Sequence, residues 1–80
     1  MERSAVVEVM QSILERQGKG GPDLHDSATL REIAFRSLDF SELCLRVEQK
    51  IGRELNFDAS TLRNIDTVKD VCDFILQAAS

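Results

Sequence analysis

Ile33-Ala34-Phe35-Arg36-Ser37-Leu38-Asp39-Phe40-Ser41-Glu42-Leu43 passes from an apolar approach, through a polar pair, into the start of a long amphipathic run. Its continuation through Val47 and Ile51 to Gly52 carries a helical period and a glycine exit, which predicts a helix from about Ser37 to Arg53. Leu38, Leu43, Val47 and Ile51 are its expected inward stripe. Asp39 and Glu42 lie in the first turns, where carboxylates meet free amides and the positive end of the helix dipole. Arg46, Lys50 and Arg53 lie later, where cations are favoured. Glu42 and Arg46 form a pair worth about 0.2–0.5 kcal/mol if exposed. The hydroxyl of Ser37 therefore stands at a helix entrance.

Upstream, Val6, Val9, Met10, Ile13 and Leu14 recur at separations of three and four and predict a first helix from about Ser4 to Arg16. Gly18, Gly20, Gly21 and Pro22 end it, because glycine permits a left-handed exit and proline disfavours helix in the residue before it. A long connection follows, polar except for the anchors Leu24, Leu30, Ile33 and Phe35. Within it Thr29 and Glu32 have the spacing of a capping box, which predicts a short helical turn. Downstream, Leu55-Asn56-Phe57-Asp58 reads as a bend before a short helix around Ala59 to Arg63, capped by Asp58. Thr67-Val68-Lys69-Asp70 is a second capping box and opens a last helix with the stripe Val68, Val71, Cys72, Ile75 and Leu76, ending near Gln77.

No strand-pairing pattern competes with these periods. The expected fold is all-α, a small bundle of three main helices plus one short helix with a long first loop, and residues 1–80 form a single domain. Leu30, Ile33, Leu55 and Leu62 complete the core. A chain of this length buries only about 60% of its unfolded surface and folds with a margin of roughly 3–5 kcal/mol.

Composition narrows the function. An apolar fraction of 42% with 30% charged residues belongs to a folded chain, and its small size disfavours a deep enzyme pocket. Fourteen acidic residues against ten basic give a net charge of -4, which opposes nucleic-acid binding; a helix-turn-helix module would need a basic recognition stripe that is absent. Cys44 and Cys72 have no cysteine or histidine at a metal-site spacing and read as buried thiols in a reducing compartment. Glu2, Glu8, Gln11 and Glu15 interrupt any apolar leader, and no stretch approaches the ~20 apolar residues of a membrane span. A cytoplasmic monomer with no membrane contact is expected.

Ser37 invites a catalytic interpretation, but a serine nucleophile needs a base and an oxyanion site. His25 is the sole histidine, and no Gly-x-Ser-x-Gly elbow surrounds Ser37. No catalytic residue is expected.

From about Leu30 to Leu76 the chain resembles acyl and peptidyl carrier proteins. The resemblance rests on the apolar approach Ile33 and Phe35, Ser37 at the helix start, Glu42-Leu43 and Glu48, Asn56-Phe57-Asp58, and Ile65-Asp66-Thr67-Val68. It implies that Ser37 carries 4'-phosphopantetheine, whose thiol holds acyl, aminoacyl or peptidyl cargo as a thioester in fatty-acid, polyketide or nonribosomal-peptide biosynthesis. It implies as partners a phosphopantetheinyl transferase, a loading ligase or acyltransferase, and condensing or tailoring enzymes. Asp39, Glu42 and Glu48 are the expected docking charges; Leu38, Phe40, Ser41 and Leu45 are expected to supply contacts near the arm. Arg36, Arg46 and Lys50 could alternatively select an acidic partner surface. Where carrier motifs commonly place aspartate before the serine and glycine two residues before that, this chain has Arg36 and Ala34. Those departures motivate the alternative of an unmodified interaction module in which Ser37 only caps a helix.

Overall fold

Apolar residues at helical spacing build α1 (Arg3–Arg16), α2 (Ser37–Ile51), α3 (Ala59–Arg63) and α4 (Val68–Ala79) in the computed structural model, which describes residues 1–19, 21, 23–56 and 59–79. The bundle of three main helices and one short helix matches the expected all-α architecture. All five apolar residues of the α1 stripe are buried, as are Val68, Val71, Cys72 and Ile75 of α4. α1 packs on both α2 and α4, so it forms the spine of one core. Ile33 and Leu55 join that core, while Leu30 and Leu62 pack against it half-buried. Gly20, Pro22, Phe57 and Asp58, assigned above to turns and a cap, lie outside the described residues.

The inward face of α2 differs from expectation. Leu38 is 84% exposed, and the buried stripe is Phe40, Leu43, Cys44 and Val47. Leu38 precedes Val47 by about two and a half turns and so stands on the opposite side of the helix, whereas Phe40 precedes it by about two. Phe40 is consequently a core residue, 2% exposed, with its ring centroid 5.8 Å from that of Phe74 on α4. It is not an exposed partner anchor.

The long first loop is fastened along its length. α1 ends in a Schellman motif: Lys19 N–H donates to Leu14 C=O at 2.8 Å and Gly18 N–H to Glu15 C=O at 3.0 Å, with Gly18 left-handed at φ 73°. Arg3 at the start of α1 forms an ion pair with Asp26 in the loop. The Thr29–Glu32 box forms as expected: Glu32 N–H donates to Thr29 Oγ1 at 3.1 Å, and Thr29 N–H to Glu32 Oε1 at 3.3 Å. Leu30 N–H then donates to Asp66 C=O and Val68 N–H to Ala28 C=O, at 2.8 and 3.0 Å. They flank an isolated antiparallel bridge between Thr29 and Thr67 that the sequence pattern did not reveal.

The same region closes the second expected box. Asp70 N–H donates to Thr67 Oγ1 at 3.2 Å, and the Asp70 carboxylate accepts from Asp66 and Thr67 N–H. Those bonds, the one from Asp66 first, hold the Asp70 carboxyl below its ordinary value. Its contribution is present above the unfolded pKa and is lost as the pH falls through the lower folded one.

The single turn after Thr29 ends as α1 does. Phe35 N–H donates to Leu30 C=O at 2.9 Å and Ala34 N–H to Arg31 C=O at 3.2 Å, again a Schellman pair. Here the left-handed position is filled by Ala34, at φ 58°. A Cβ there costs about 1–2 kcal/mol, partly offset because glycine would gain about 0.5–1 kcal/mol of freedom in the unfolded chain. Ala34→Gly is expected to stabilise the protein by about 0.5–1 kcal/mol, measured as a raised urea midpoint at unchanged slope. An unchanged or lowered midpoint would count against strain at Ala34.

Candidate functional site at the entrance of α2

Ser37 is the first residue of α2, and the cap position belongs to Arg36, whose backbone is extended at φ -98°, ψ 177°. Ser37 is exposed, and among the described residues its hydroxyl makes no hydrogen bond. The cap function passes to Asp39, whose Oδ2 accepts from Arg36 N–H at 2.8 Å. A guanidinium cannot return that bond as a serine cap would, so only this half of the capping box exists. Ser37 is thus free of the structural duty that would explain it as a plain cap.

Asp39 is 5% exposed. Its second oxygen accepts from Gln17 Nε2, and Lys19 Nζ donates to Ala34 C=O at 3.3 Å, so the end of α1 holds both the turn before Ser37 and the first turn of α2. Nothing in the local spacing forecast the Gln17 contact, because the two residues lie in different elements.

Beside Ser37 opens a cleft of about 270 Å³ lined by Leu30, Phe35, Arg36, Ser37, Phe40, Leu62 and Ile65. Leu30 and Phe35 come from the fastened loop, Phe40 from α2 and Leu62 from α3. The apolar side chains form the walls, and Arg36 and Ser37 supply the polar lining. Leu30 and Leu62, expected as core, are half-buried because one side faces this cleft. His25 is not part of it; its ring Nδ1 lies 3.0 Å from Ser27 Oγ in the exposed loop. No catalytic pair with Ser37 is assembled here.

The three carboxylates expected to dock partners are engaged within the chain. Asp39 serves the cap. Glu42 Oε2 accepts from Arg16 Nη1 at 2.9 Å and from Arg46 Nη2 at 2.6 Å, while Arg46 Nη1 donates to Ser12 Oγ at 3.1 Å. Glu48 Oε2 accepts from Leu55 N–H at 2.8 Å and fixes the chain leaving α2. Arg36 and Ser41 are exposed, as are Leu38 at 84% and Leu45 at 60%.

Both cysteines are buried as expected. Burial, and then the charge of Glu48, push the Cys44 thiol up to about 12, and burial raises that of Cys72. Neither is a thiolate near neutrality. The Cys44 contribution to stability is complete below 9.0 and is lost as the pH rises through about 12.

Among the described residues no helix is long and apolar enough to cross a membrane, and no cluster of metal-ligating side chains occurs. The sequence matches no protein-family model and no curated protein. Its structure is similar to the crystal structure of an acyl carrier protein from Thermotoga maritima, with a TM-score of 0.71 and 25% identity over 98% of this chain and 91% of that one. The chain therefore has an acyl-carrier-protein-like fold.

Proposed function

We propose that this chain is a non-catalytic carrier domain that bears 4'-phosphopantetheine on Ser37 Oγ. The observation that carries this proposal is the exposed, unbonded hydroxyl at the first position of α2, beside an apolar cleft, within a carrier-like fold. When bound, the group supplies a thiol that holds an acyl, aminoacyl or peptidyl cargo as a thioester. The chain's own residues present and protect the attachment point. Asp39 locks the first turn of α2, leaving the Ser37 oxygen projecting where the helix amides and dipole favour a phosphodiester. Leu30, Phe35, Phe40, Leu62 and Ile65 offer an apolar wall beside it. Arg36 places a cation next to the anionic linkage, where carrier motifs commonly have an aspartate. The proposed partners are a phosphopantetheinyl transferase, a loading ligase or acyltransferase, and condensing or tailoring enzymes, in the cytoplasm.

Incubation with a broad-specificity transferase, coenzyme A and magnesium is expected to add one arm, seen by intact mass. Thiol counting with an aromatic disulfide provides a second readout. The unmodified native protein should show no fast-reacting thiol, because Cys44 and Cys72 are buried and protonated; the modified protein should show one. Failure of several transferases to add the arm would refute the proposal. Fast thiols in the unmodified protein would refute the packing assigned to the cysteines.

A further inference from the structure

Arg36 directly precedes the attachment oxygen in the chain, and its charge forms no ion pair among the described residues. The other basic groups around the entrance of α2 are placed otherwise. Lys19 Nζ donates to Ala34 C=O, Arg16 and Arg46 share Glu42, and Arg31 lines a neighbouring cleft with Thr29, Leu30 and Asp66. Of the cations among the described residues, Arg36 alone lines the cleft that Ser37 lines. Its backbone is fixed there by the bond from Arg36 N–H to Asp39 Oδ2 at 2.8 Å, while the residue itself is exposed.

The same bond sets an electrostatic condition on a modified serine. It holds the Asp39 carboxylate, 5% exposed, in the first turn of α2, two residues after Ser37. A phosphodiester on Ser37 Oγ brings a second anion to that turn, and like charges a few ångströms apart repel. Gln17 meets Asp39 with a neutral amide, which leaves the carboxylate charge in place. Arg36 is the group positioned to offset the repulsion. Neighbouring Cα atoms lie about 3.8 Å apart, and a guanidinium presents a planar fork of donors that matches the two free oxygens of a phosphodiester.

We propose that Arg36 is a positioning residue whose guanidinium pairs with the phosphodiester on Ser37 and draws the first segment of the arm toward the cleft walled by Leu30, Leu62 and Ile65. This rests on the carrier reading and adds what orients the arm at rest. The direction follows from the lining, since Arg36 and Ser37 border the cleft, whereas Leu38 on the other side of Ser37 is 84% exposed and is not part of it. An ion pair at the surface is worth about threefold in an equilibrium and weakens with salt. A hold of that size biases the arm without trapping it, so an enzyme that binds the arm displaces it at small cost.

Nuclear magnetic resonance spectra of the full chain before and after arm addition provide the test. The Arg36 Nε–H signal, identified by its loss in Arg36→Gln, is expected to shift when the arm is added and to move back at high salt. Amide shifts caused by the arm should fall on Leu30, Leu62 and Ile65 more than on Leu38, Ser41 and Leu45. In Arg36→Gln the ratio of arm on the cleft to arm in solvent should drop about threefold, and Arg36→Lys, a point charge without the fork, should fall between. Unmodified Arg36→Gln should keep the wild-type urea midpoint, because Arg36 makes no ion pair among the described residues; this separates positioning from a structural role. An Nε–H signal indifferent to the arm, or amide shifts centred on Leu38 and Leu45, would overturn the inference, and both are read on wild type even if a transferase refuses the variant. Cleft shifts unchanged in Arg36→Gln would also overturn it and assign the hold to the apolar wall. Intact mass reports arm addition separately. A wild type that never gains the arm rejects the carrier reading and this inference with it, whereas an arm that is added normally and ignores Arg36 rejects this inference alone.

Discussion

Ser37→Ala is expected to abolish addition of the phosphopantetheine arm completely, with the urea midpoint shifted by no more than about 0.5 kcal/mol in stability. The two halves of that result have separate physical sources. Attachment requires an oxygen at this position, and no other exposed serine or threonine among the described residues lines the cleft at the entrance of α2. Stability is spared because the hydroxyl makes no hydrogen bond among the described residues and because Arg36, not Ser37, occupies the cap. A serine that served as cap would cost about 0.5–2 kcal/mol on truncation. Intact mass after transferase treatment and urea unfolding of the same samples give the answer. A marked loss of stability would favour the capping role, and an arm retained by the alanine variant would place the attachment elsewhere.

Asp39→Ala is expected to damage both fold and attachment. The carboxylate is buried, it accepts the Arg36 N–H that would otherwise lack a partner, and it is bonded to Gln17 at the end of α1. Losing a hydrogen bond to a charged group costs about 1.5–3 kcal/mol, a large part of a margin of roughly 3–5 kcal/mol for a chain this small. The loosened first turn should also misplace Ser37 and lower kcat/KM for arm transfer about tenfold or more. Asp39→Asn retains one oxygen acceptor and should fall between the alanine variant and wild type in urea unfolding. Wild-type stability in the alanine variant would show that the cap bond contributes nothing. Normal stability with slowed transfer would instead assign Asp39 to transferase contact.

Much of the fold was legible because short-range spacing specifies helices. The stripes of α1 and α4, the boxes Thr29–Glu32 and Thr67–Asp70, and the Gly18 and Gly52 exits all depend on residues a few positions apart. The inward face of α2 was legible too, since Phe40, Leu43, Cys44 and Val47 have the spacing of three and four that a buried helical stripe requires. Leu38 has the residue type of that stripe but not its angle, and it is exposed. The bridge from Thr29 to Thr67 and the Gln17–Asp39 contact carry no such local signature.

The candidate site divides along the same line. By itself the sequence determined that a serine opens an amphipathic helix in a small acidic all-α chain, because these properties follow from residue type and period. Only tertiary structure decided that Asp39, Glu42 and Glu48 are held in internal bonds while Leu38 and Leu45 face outward. A charge on a helix is written in one dimension, but its availability depends on which side chains arrive from other elements. Arg16 and Ser12 from α1, Gln17 beyond it and Leu55 after α2 settle that question here.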